Sequence, residues 1–458
     1  MKRDTNTIFP LIFLIGIFVL LSGCGKQAAQ LDQSWSSPIA VTGSKSGLSD
    51  GVDLYKWHDR AIMLQWESYK SARYFVMKGS NSWAEMNLTG VPNEYLWVFP
   101  ALDPSSDKVF FEQGYIENDQ LVISVIAGRM TESVTVRNAT ETKWTADTKG
   151  LFGGDHPDVK MAEFNEPRKR RWPDLRLGII DGSNLYIPYY LEGFTYKNGV
   201  SIARGPDSSG VLHSADSGMT WQVERISDFG EFDPLVCKTK DYYYYFAKRG
   251  MNIGLALWFS RKPTEGSSWE KPGDLAKTYA MVYGHYAAVA EEDTVHACWM
   301  DRRHNKWRLN IDGPNVENDD IVYRRRKDSD TDWSKDVILS KGLLYSYSPS
   351  ISVEGNNVVV AWSGIASAGK QHTEYDPNDI FYVTSKDGGK TWAKPLNITD
   401  GAKDGIVSGK PQVMLLNGVI HLFYTQGKPE KAEQLSPGLY RLSQSSWPIY
   451  YQQRPFPK

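Results

Sequence analysis

The apolar and polar residues along most of the chain form short segments that are typical of β-strands. Ile351–Val353 and Val358–Trp362 are apolar or alternating runs on either side of a turn at Gly355, and Asp379–Thr384 follows them. Runs of this length and period, bounded by Gly and Asn, predict antiparallel strands joined by tight turns. The same arrangement recurs at residues 175–226, 232–269 and 286–339. The pattern therefore predicts an all-β chain built from four-stranded units.

A turn motif follows the third strand of these units. Its clearest copies run from Ser214 to Trp221 and from Ser385 to Trp392, and both read S-x-D-x-G-x-T-W. The Asp accepts hydrogen bonds from N–H groups of its own turn, and the Gly supplies a positive φ. The Trp buries a large aromatic face, which we expect to lie between neighbouring sheets. We call this turn the Asp-box, and its residues predict a structural role rather than a catalytic Asp.

Degraded copies of the Asp-box end at Trp269 and Trp333, and weaker ones end at Trp83, Trp144 and Trp447. The tryptophans are spaced by roughly 50–60 residues in most units, which is typical of one four-stranded blade of a β-propeller. The run Asp328-x-Asp330-x-Asp332 is a degraded copy and not a calcium loop. A calcium loop needs Gly at its sixth position, which Trp333 occupies here.

The units predict one propeller domain over residues 35–450, with an insertion at 148–173 and a tail at 451–458. We count seven blades, with six as the alternative if the divergent N-terminal pair is irregular. The last unit, at 410–447, shows strands at Gln412–Leu416, Val419–Tyr424 and Gly438–Leu442. Its fourth strand is expected from Trp35–Val41 at the N-terminus. Closing the ring with both termini removes exposed sheet edges.

The N-terminus has the features of an exported lipoprotein. Lys2 and Arg3 precede an apolar run from Ile8 to Leu21, which is short for a membrane span and typical of a signal peptide. Leu21-Ser-Gly-Cys24 then resembles a bacterial lipobox, which implies cleavage before Cys24 and acylation of its thiol. Residues 1–24 are therefore predicted to be the signal peptide and 25–34 a polar tether. Lipid anchoring in a bacterial cell envelope is expected, at the outer membrane of a Gram-negative host.

Composition narrows the function classes. The formal net charge is −2, and the absence of a basic field argues against a nucleic-acid partner. The eight His are scattered without metal-binding spacing, and no nucleotide, flavin or haem motif is present, so no cofactor or metal is predicted. Apart from Cys24, only Cys237 and Cys298 remain. They either form a disulfide in the exported chain or stay as two buried thiols.

The Asp-boxes, the unit length and the order of the units resemble the sialidase superfamily over nearly the whole chain after the tether. The more specific stretch runs from Leu175 to Trp269. Within it, Leu177–Pro188 is similar to a conserved sialidase strand and leads to an Asp-box, a Glu and an Arg. The resemblance implies a β-propeller fold and a site that hydrolyses terminal sialic acid. In such a site an Arg triad holds the sugar carboxylate, a Tyr–Glu pair supplies the nucleophile, and an Asp acts as acid and base.

Matched position by position, the resemblance implies Tyr347 as nucleophile and Glu231 as its activator. Arg249 and either Arg302 or Arg303 match the carboxylate-binding arginines. Arg171, which ends the basic run Arg168–Arg171, enters the third unit on the same face as Arg249 and is a further candidate for anion binding. All these groups are predicted to converge at one end of the central channel of the propeller, opposite the Asp-boxes.

The match is incomplete. The family's first Arg is missing from Leu48–Leu54, and no acid/base Asp is identifiable. Each candidate also has a structural alternative: a solvated loop residue for Glu231, an ion pair on the channel wall for Arg249, surface ion pairs for Arg302 and Arg303, and core packing for Tyr347. Two hypotheses follow. The first is a cell-surface lipoprotein that binds an acidic glycan or a protein partner through a degenerate sialidase-like site, and the second is an active exo-sialidase-like glycoside hydrolase.

Overall fold

Antiparallel sheets follow one another along the chain in a computed structural model. The structure describes residues 32, 34–41, 52–68, 71–79, 82–86, 97–100, 107–117, 120–131, 135–147, 159–161, 174–175, 178–191, 193–197, 200–204, 208–227, 231–251, 254–276, 286–301, 319–366, 377–428, 433–436, 439–441 and 447–457. Every structural statement below refers to these residues. No helix among them is long and apolar enough to cross a membrane.

Strands in the first half of the chain form blades 1 to 3, an added sheet and one strand of blade 7. The chain begins with β1 (Ile39–Ala40). Blade 1 comprises β2 (Val52–Trp57), β3 (Arg60–Ser68), β4 (Ser71–Met77) and β5 (Trp83–Glu85). Blade 2 comprises β6 (Trp97–Pro100), β7 (Lys108–Glu117), β8 (Gln120–Met130) and β9 (Val136–Asp147). An added sheet comprises β10 (Val159–Met161), β14 (Gly193–Lys197) and β15 (Val200–Arg204). Blade 3 comprises β11 (Asp174–Leu175), β12 (Ile179–Asp181), β13 (Asn184–Leu191), β16 (Ser208–Ser214) and β17 (Gln222–Ser227).

Strands in the second half complete the set. Blade 4 comprises β18 (Glu231–Lys238), β19 (Tyr242–Met251), β20 (Gly254–Pro263) and β21 (Gly273–Ala276). Blade 5 comprises β22 (Tyr286–Glu291), β23 (Thr294–Asp301), β24 (Asp320–Lys327) and β25 (Val337–Ile338). Blade 6 comprises β26 (Tyr345–Glu354), β27 (Asn357–Ile365), β28 (Asp379–Ser385) and β29 (Leu396–Asn397), and a 3-10 helix follows at Ala402–Asp404. Blade 7 comprises β30 (Val407–Leu416), β31 (Val419–Gly427), β34 (Ile449–Pro455) and β1, with a separate hairpin of β32 (Glu433–Ser436) and β33 (Leu439–Arg441).

Seven blades close into a ring around a central channel. The innermost strand of each blade contacts that of the next, in the order β2, β6, β12, β18, β22, β26 and β30, and β30 returns to contact β2. The predicted all-β propeller is confirmed, and the count of seven replaces the alternative of six.

The N-terminal strand closes blade 7 as the sequence predicts. Strand β1 pairs antiparallel with β34, with Ile39 opposite Tyr451, and forms the outer edge of that blade. The third strand of the blade, however, is Ile449–Pro455 and not Gly438–Leu442, which contributes to the separate hairpin. The predicted boundary at residue 450 and the tail at 451–458 are therefore wrong for the residues of β34. Gln452 is buried within blade 7 and accepts a hydrogen bond from the Tyr424 hydroxyl. Because this residue is polar, a pattern of apolar residues does not predict that it belongs to a strand.

The Asp-box turns have the predicted hydrogen bonds. Asp216 Oδ1 accepts from the Thr220 N–H at 2.8 Å, and its Oδ2 accepts from the Thr220 hydroxyl at 2.6 Å. The Trp221 indole donates to the Gly218 carbonyl at 3.1 Å, and Gly218 has a φ of +91°. The Thr220 hydroxyl and N–H lower the pKa of Asp216 to about 2. The same bonds recur at Ser385, Asp387, Gly389, Thr391 and Trp392.

The Asp-box indoles lie between blades. Trp392 of blade 6 packs edge-on against Tyr323 of blade 5 at 4.8 Å, and a Cβ on Gly389 would collide with that tyrosine. Trp333 of blade 5 packs against Phe259 of blade 4 at 5.3 Å. Trp83 of blade 1 packs against Phe423 and Tyr451 of blade 7, and Trp221 packs with Leu121 and Ile123 of blade 2. In blade 7 the corresponding indole is Trp35, 5.3 Å from Tyr382, whereas Trp447 lies against Gly427 of its own blade.

Cys237 and Cys298 are free and buried on neighbouring blades 4 and 5. Burial raises the pKa of both thiols. The alternative of a disulfide between them is therefore wrong, and the two side chains belong to the apolar packing of the sheets.

Candidate functional site

The propeller has two different faces. We call the end of the ring at which each innermost strand begins the loop face, and the opposite end, which carries the Asp-box turns, the Asp-box face. In blade 6, for example, β26 begins at Tyr345 on the loop face, and the Asp-box follows the end of β28 at Ser385 on the other face. The candidate residues in the described strands lie at the loop-face ends of blades 4 and 6.

Glu231 and Arg249 are directly opposite each other on β18 and β19 of blade 4. The predicted placement of both on the loop face is therefore seen in the strand register. Arg249 is half-buried. Beside them, Asp233 forms an ion pair with the buried Lys248, and the Tyr286 hydroxyl of blade 5 donates to the Asp233 carbonyl at 2.5 Å. This end of blade 4 thus presents charged groups held by contacts with the next blade.

Tyr347 lies within the core at the loop-face end of blade 6. Its side chain is 4% exposed, and its hydroxyl accepts a hydrogen bond from Asn378 Nδ2 at 2.6 Å. Its ring packs 5.2 Å from that of Tyr345, within an apolar cluster that joins blades 5 and 6. Asn378 is itself fully buried, and its Oδ1 accepts from the Ser408 N–H of blade 7. These contacts favour the packing interpretation of Tyr347 over the nucleophile interpretation.

Sequence analysis did not single out Asn378, although a signal for it exists. Asn378-Asp-Ile-Phe-Tyr382 repeats Asp319-Asp-Ile-Val-Tyr323 at the start of the third strand of the preceding blade. The second residue of each copy accepts a hydrogen bond from a hydroxyl two residues after the fourth strand: Asp379 accepts from Thr399 and Asp320 from Ser340. Burial raises the pKa of Asp379 despite hydrogen bonds from Thr399, Gly401 and Ala402. These two carboxylates therefore help to attach the segments after the outer strands of blades 5 and 6.

A backbone feature recurs at the loop face of three blades. Asp233, Ser348 and Lys410 have φ values of +51°, +52° and +50°, and each stands in a β-bulge of an innermost strand. A proline follows each of them in the sequence. Residues other than glycine in this left-handed region cost of order 1–3 kcal/mol, and such positions concentrate at functional sites. The bulges give the mouth of the channel a fixed and repeated backbone shape.

Four predicted residues lie outside the described part of the chain: Cys24, Arg171, Arg302 and Arg303. Directly before the last two, Asp301 ends β23 on the loop face, is fully buried and accepts from the Trp299 indole at 3.0 Å. Blade 1 begins with Val52 and Asp53, where the resemblance requires the first Arg of the triad. Among the described residues, no group of three or more His, Cys, Asp or Glu is placed to hold a metal ion.

No model of a known protein family matches the chain, and no curated protein does. Among solved structures, the chain is similar to Trypanosoma rangeli sialidase in complex with the inhibitor DANA, with 10% identity, a TM-score of 0.42, and coverage of 91% of this chain and 59% of that sialidase. It is similar to phage phi92 endosialidase, with 8% identity, a TM-score of 0.45, and coverage of 93% and 70%. A mutant of Synechocystis apocarotenoid oxygenase gives 9% identity, a TM-score of 0.43, and coverage of 76% and 71%.

At these identities the comparisons concern the fold alone, and with TM-scores below 0.5 they carry no argument about the site. The chain spans 59% of the length of the trypanosomal sialidase. The seven-bladed ring itself rests on the strand pairing described above.

Proposed function

We propose that this chain is a lipid-anchored cell-envelope propeller whose loop face binds an acidic glycan or a protein partner without hydrolysing it. The observation that carries the proposal is the position of Tyr347. Its hydroxyl is bonded to the Asn378 amide inside an apolar cluster. A tyrosine nucleophile needs access to the substrate, whereas the side chain of Tyr347 is only 4% exposed.

Binding an acidic group requires fewer protein groups than hydrolysis does, and Arg249 on the loop face is a candidate for such binding. Arg249 stands opposite Glu231 at the mouth of the channel, and a guanidinium can hold a carboxylate through two parallel hydrogen bonds. The start of blade 1, where a sialidase site needs its first Arg, carries Asp53 instead. Among the described residues, the loop face is therefore better suited to a contact between Arg249 and an acidic group than to a complete sialidase site.

The binding proposal is tested on a glycan array and on a panel of fluorogenic sialosides, using the purified full-length chain. We expect binding to acidic glycans and no turnover. Arg249→Gln should weaken binding about 10- to 100-fold, because a hydrogen bond to a charged group contributes about 1.5–3 kcal/mol. Arg129→Gln is the matched control, since Arg129 is exposed near the Asp-box end of blade 2. Turnover that disappears in Tyr347→Phe would instead establish the hydrolase alternative.

The anchor is tested separately by cell fractionation of a Cys24→Ser variant. Acyl chains on Cys24 would hold the protein firmly at a membrane. We expect the unmodified chain in the membrane fraction, released by detergent and not by salt. The variant should lose this membrane association or accumulate with its signal peptide uncleaved. Equal membrane binding of a processed variant would contradict lipid anchoring while leaving the glycan proposal untouched.

A further inference from the structure

The N-terminal segment enters the ring at the Asp-box face of blade 7. In blades 3 and 6 the Asp-box turn joins the third strand to the fourth, at Ser214–Trp221 and Ser385–Trp392. In blade 7 the third strand is β34 and the fourth is β1, which come from opposite ends of the sequence. Trp35, which precedes β1, occupies the indole position between blades 6 and 7. The chain therefore reaches β1 from the place that the Asp-box turn holds in blades 3 and 6.

A second set of contacts places this entry on the same face. Phe456 directly follows β34, and its N–H donates to the Gly418 carbonyl at 2.8 Å. Gly418 lies in the turn between β30 and β31, and β30 ends on the Asp-box face. Phe456 and Trp35 belong to one apolar cluster. Trp35 is thus packed together with a residue that is bonded to the Asp-box end of the blade.

Asp32 fixes the chain to both neighbouring blades just before this entry. Its Oδ2 accepts from the Arg454 guanidinium of blade 7 and from the Tyr382 hydroxyl of blade 6. Its N–H donates to the Asn397 carbonyl of blade 6 at 2.7 Å, and its Oδ1 accepts from the N–H and the hydroxyl of Ser34. The Asp32 side chain is only 12% exposed. Asp32 is therefore the fixed point from which the reach of the preceding residues is measured.

The chain between Asp32 and the proposed lipid anchor is short. Cys24 precedes Asp32 by eight residues, which span at most about 26–29 Å when fully extended. The innermost strands β26 and β30 have ten residues each, so the two faces of the ring are roughly 30 Å apart. Cys24 would reach the level of the loop face only with every preceding residue stretched along the outside of the blade. A membrane that holds Cys24 therefore lies on the Asp-box side.

We propose that the lipid surface faces the Asp-box face at the edge formed by blades 6 and 7, and that the loop face points away from the membrane. This orientation rests on the proposed acylation of Cys24. A short tether lets the ring tilt, but its reach does not let the ring turn over. Arg249 and Glu231 then meet ligands that arrive from the aqueous side. Headgroups of the anchoring membrane are thereby excluded as ligands of the loop face.

The orientation is tested by energy transfer from a dye on the protein to rhodamine-labelled lipids. The full-length chain is expressed, purified from membranes and added to preformed vesicles of phosphatidylethanolamine and phosphatidylglycerol. Lys390→Cys carries the dye on the Asp-box face of blade 6, and Lys403→Cys carries it on the loop face of the same blade. Both lysines are exposed, whereas Cys237 and Cys298 are buried. We expect transfer at least twofold more efficient from Lys390→Cys, because the faces are roughly 30 Å apart.

The unsubstituted chain measures background labelling, and a longer tether supplies the matched control. Inserting about twenty Gly and Ser residues between Ala28 and Ala29 extends the reach well beyond the depth of the ring, so the two transfer efficiencies should become similar. A difference that survives the insertion would contradict the tether as its cause.

Flotation of the vesicles separates the orientation from the anchor. Chains that do not float with the vesicles would overturn the anchor and the orientation together. Among chains that float, equal transfer from the two positions, or stronger transfer from Lys403→Cys, would overturn the orientation alone. Glycan binding through Arg249 is measured without vesicles, so its success or failure is independent of both results.

Discussion

At the scale of single residues, the ammonium of Lys262 on β20 combines an ion pair with contacts to three aromatic rings. It donates to both carboxylate oxygens of Glu224 on β17, at 2.8 and 2.7 Å. It also lies 5.3, 5.7 and 5.5 Å from the ring centres of Tyr186, Tyr243 and Trp269. Cations are attracted to aromatic faces at these distances. The ammonium therefore joins blade 4 to blade 3 through charge and ring contacts together.

Glu224 shows how strongly this arrangement favours its ionised form. Burial raises its pKa, but hydrogen bonds from His213, Lys262 and Trp269 outweigh burial and lower the pKa to about 2. A carboxyl whose pKa is lower in the folded than in the unfolded state stabilises the fold above its unfolded pKa. The stabilisation is therefore complete above about pH 4.5 and is lost as the pH falls towards 2.

Lys262→Met should destabilise the protein by about 3–5 kcal/mol at pH 7, because it leaves the Glu224 carboxylate buried without its cation. Urea unfolding followed by tryptophan fluorescence measures the loss. Adding Glu224→Gln should restore much of the stability, since a neutral side chain needs no counter-ion. A single variant within 1 kcal/mol of the unchanged chain would show that the ion pair contributes little.

Sequence analysis did not identify Lys262, Glu224 or Asn378, for a physical reason. Their partners come from strands of different blades, or from strands far apart in one blade, and no local period records such contacts. Tyr347 was identified by resemblance, but its neighbours decide its role and those neighbours are not adjacent in sequence. Chemistry at a propeller mouth depends on several blades at once, whereas a sequence pattern describes one strand or turn.

At the scale of elements, the Asp-box hairpin is the part of the fold that sequence predicts best. Its hydrogen bonds connect residues within one turn, so motif and structure coincide at Asp216 and Asp387. The placement of Trp83, Trp221, Trp333 and Trp392 between blades also follows the prediction. The prediction is wrong at β34. Gln452 and Gln453 form hydrogen bonds there with the N-terminal segment, and no alternation of apolar residues identifies them as part of a strand.

Trp221→Ala should destabilise the protein by about 3–5 kcal/mol, the usual loss when a large buried aromatic side chain is truncated. Trp221 is 5% exposed and fills the space between blades 2 and 3. Met219→Ala is the control from the same turn, because Met219 is 62% exposed and its truncation should change little. Equal effects of the two substitutions in thermal or urea unfolding would contradict the wedging role of the indole.

At the scale of the whole molecule, the two faces of the ring differ chemically. The loop face carries charged groups on strained, proline-followed bulges, and the Asp-box face carries the hairpins that hold neighbouring blades together. The junction between the last and first blades differs from the two junctions before it, because β30 ends at Leu416 whereas β22 and β26 end at Glu291 and Glu354.

The pairing of β1 with β34 also determines when the ring can close during folding. Gln452 donates to the Ser36 carbonyl at 2.7 Å across 416 residues of sequence. At common translation speeds of about 5–20 residues per second, roughly 20 to 80 seconds separate the synthesis of these two partners. The first strand made must therefore wait for β34 before the ring can close.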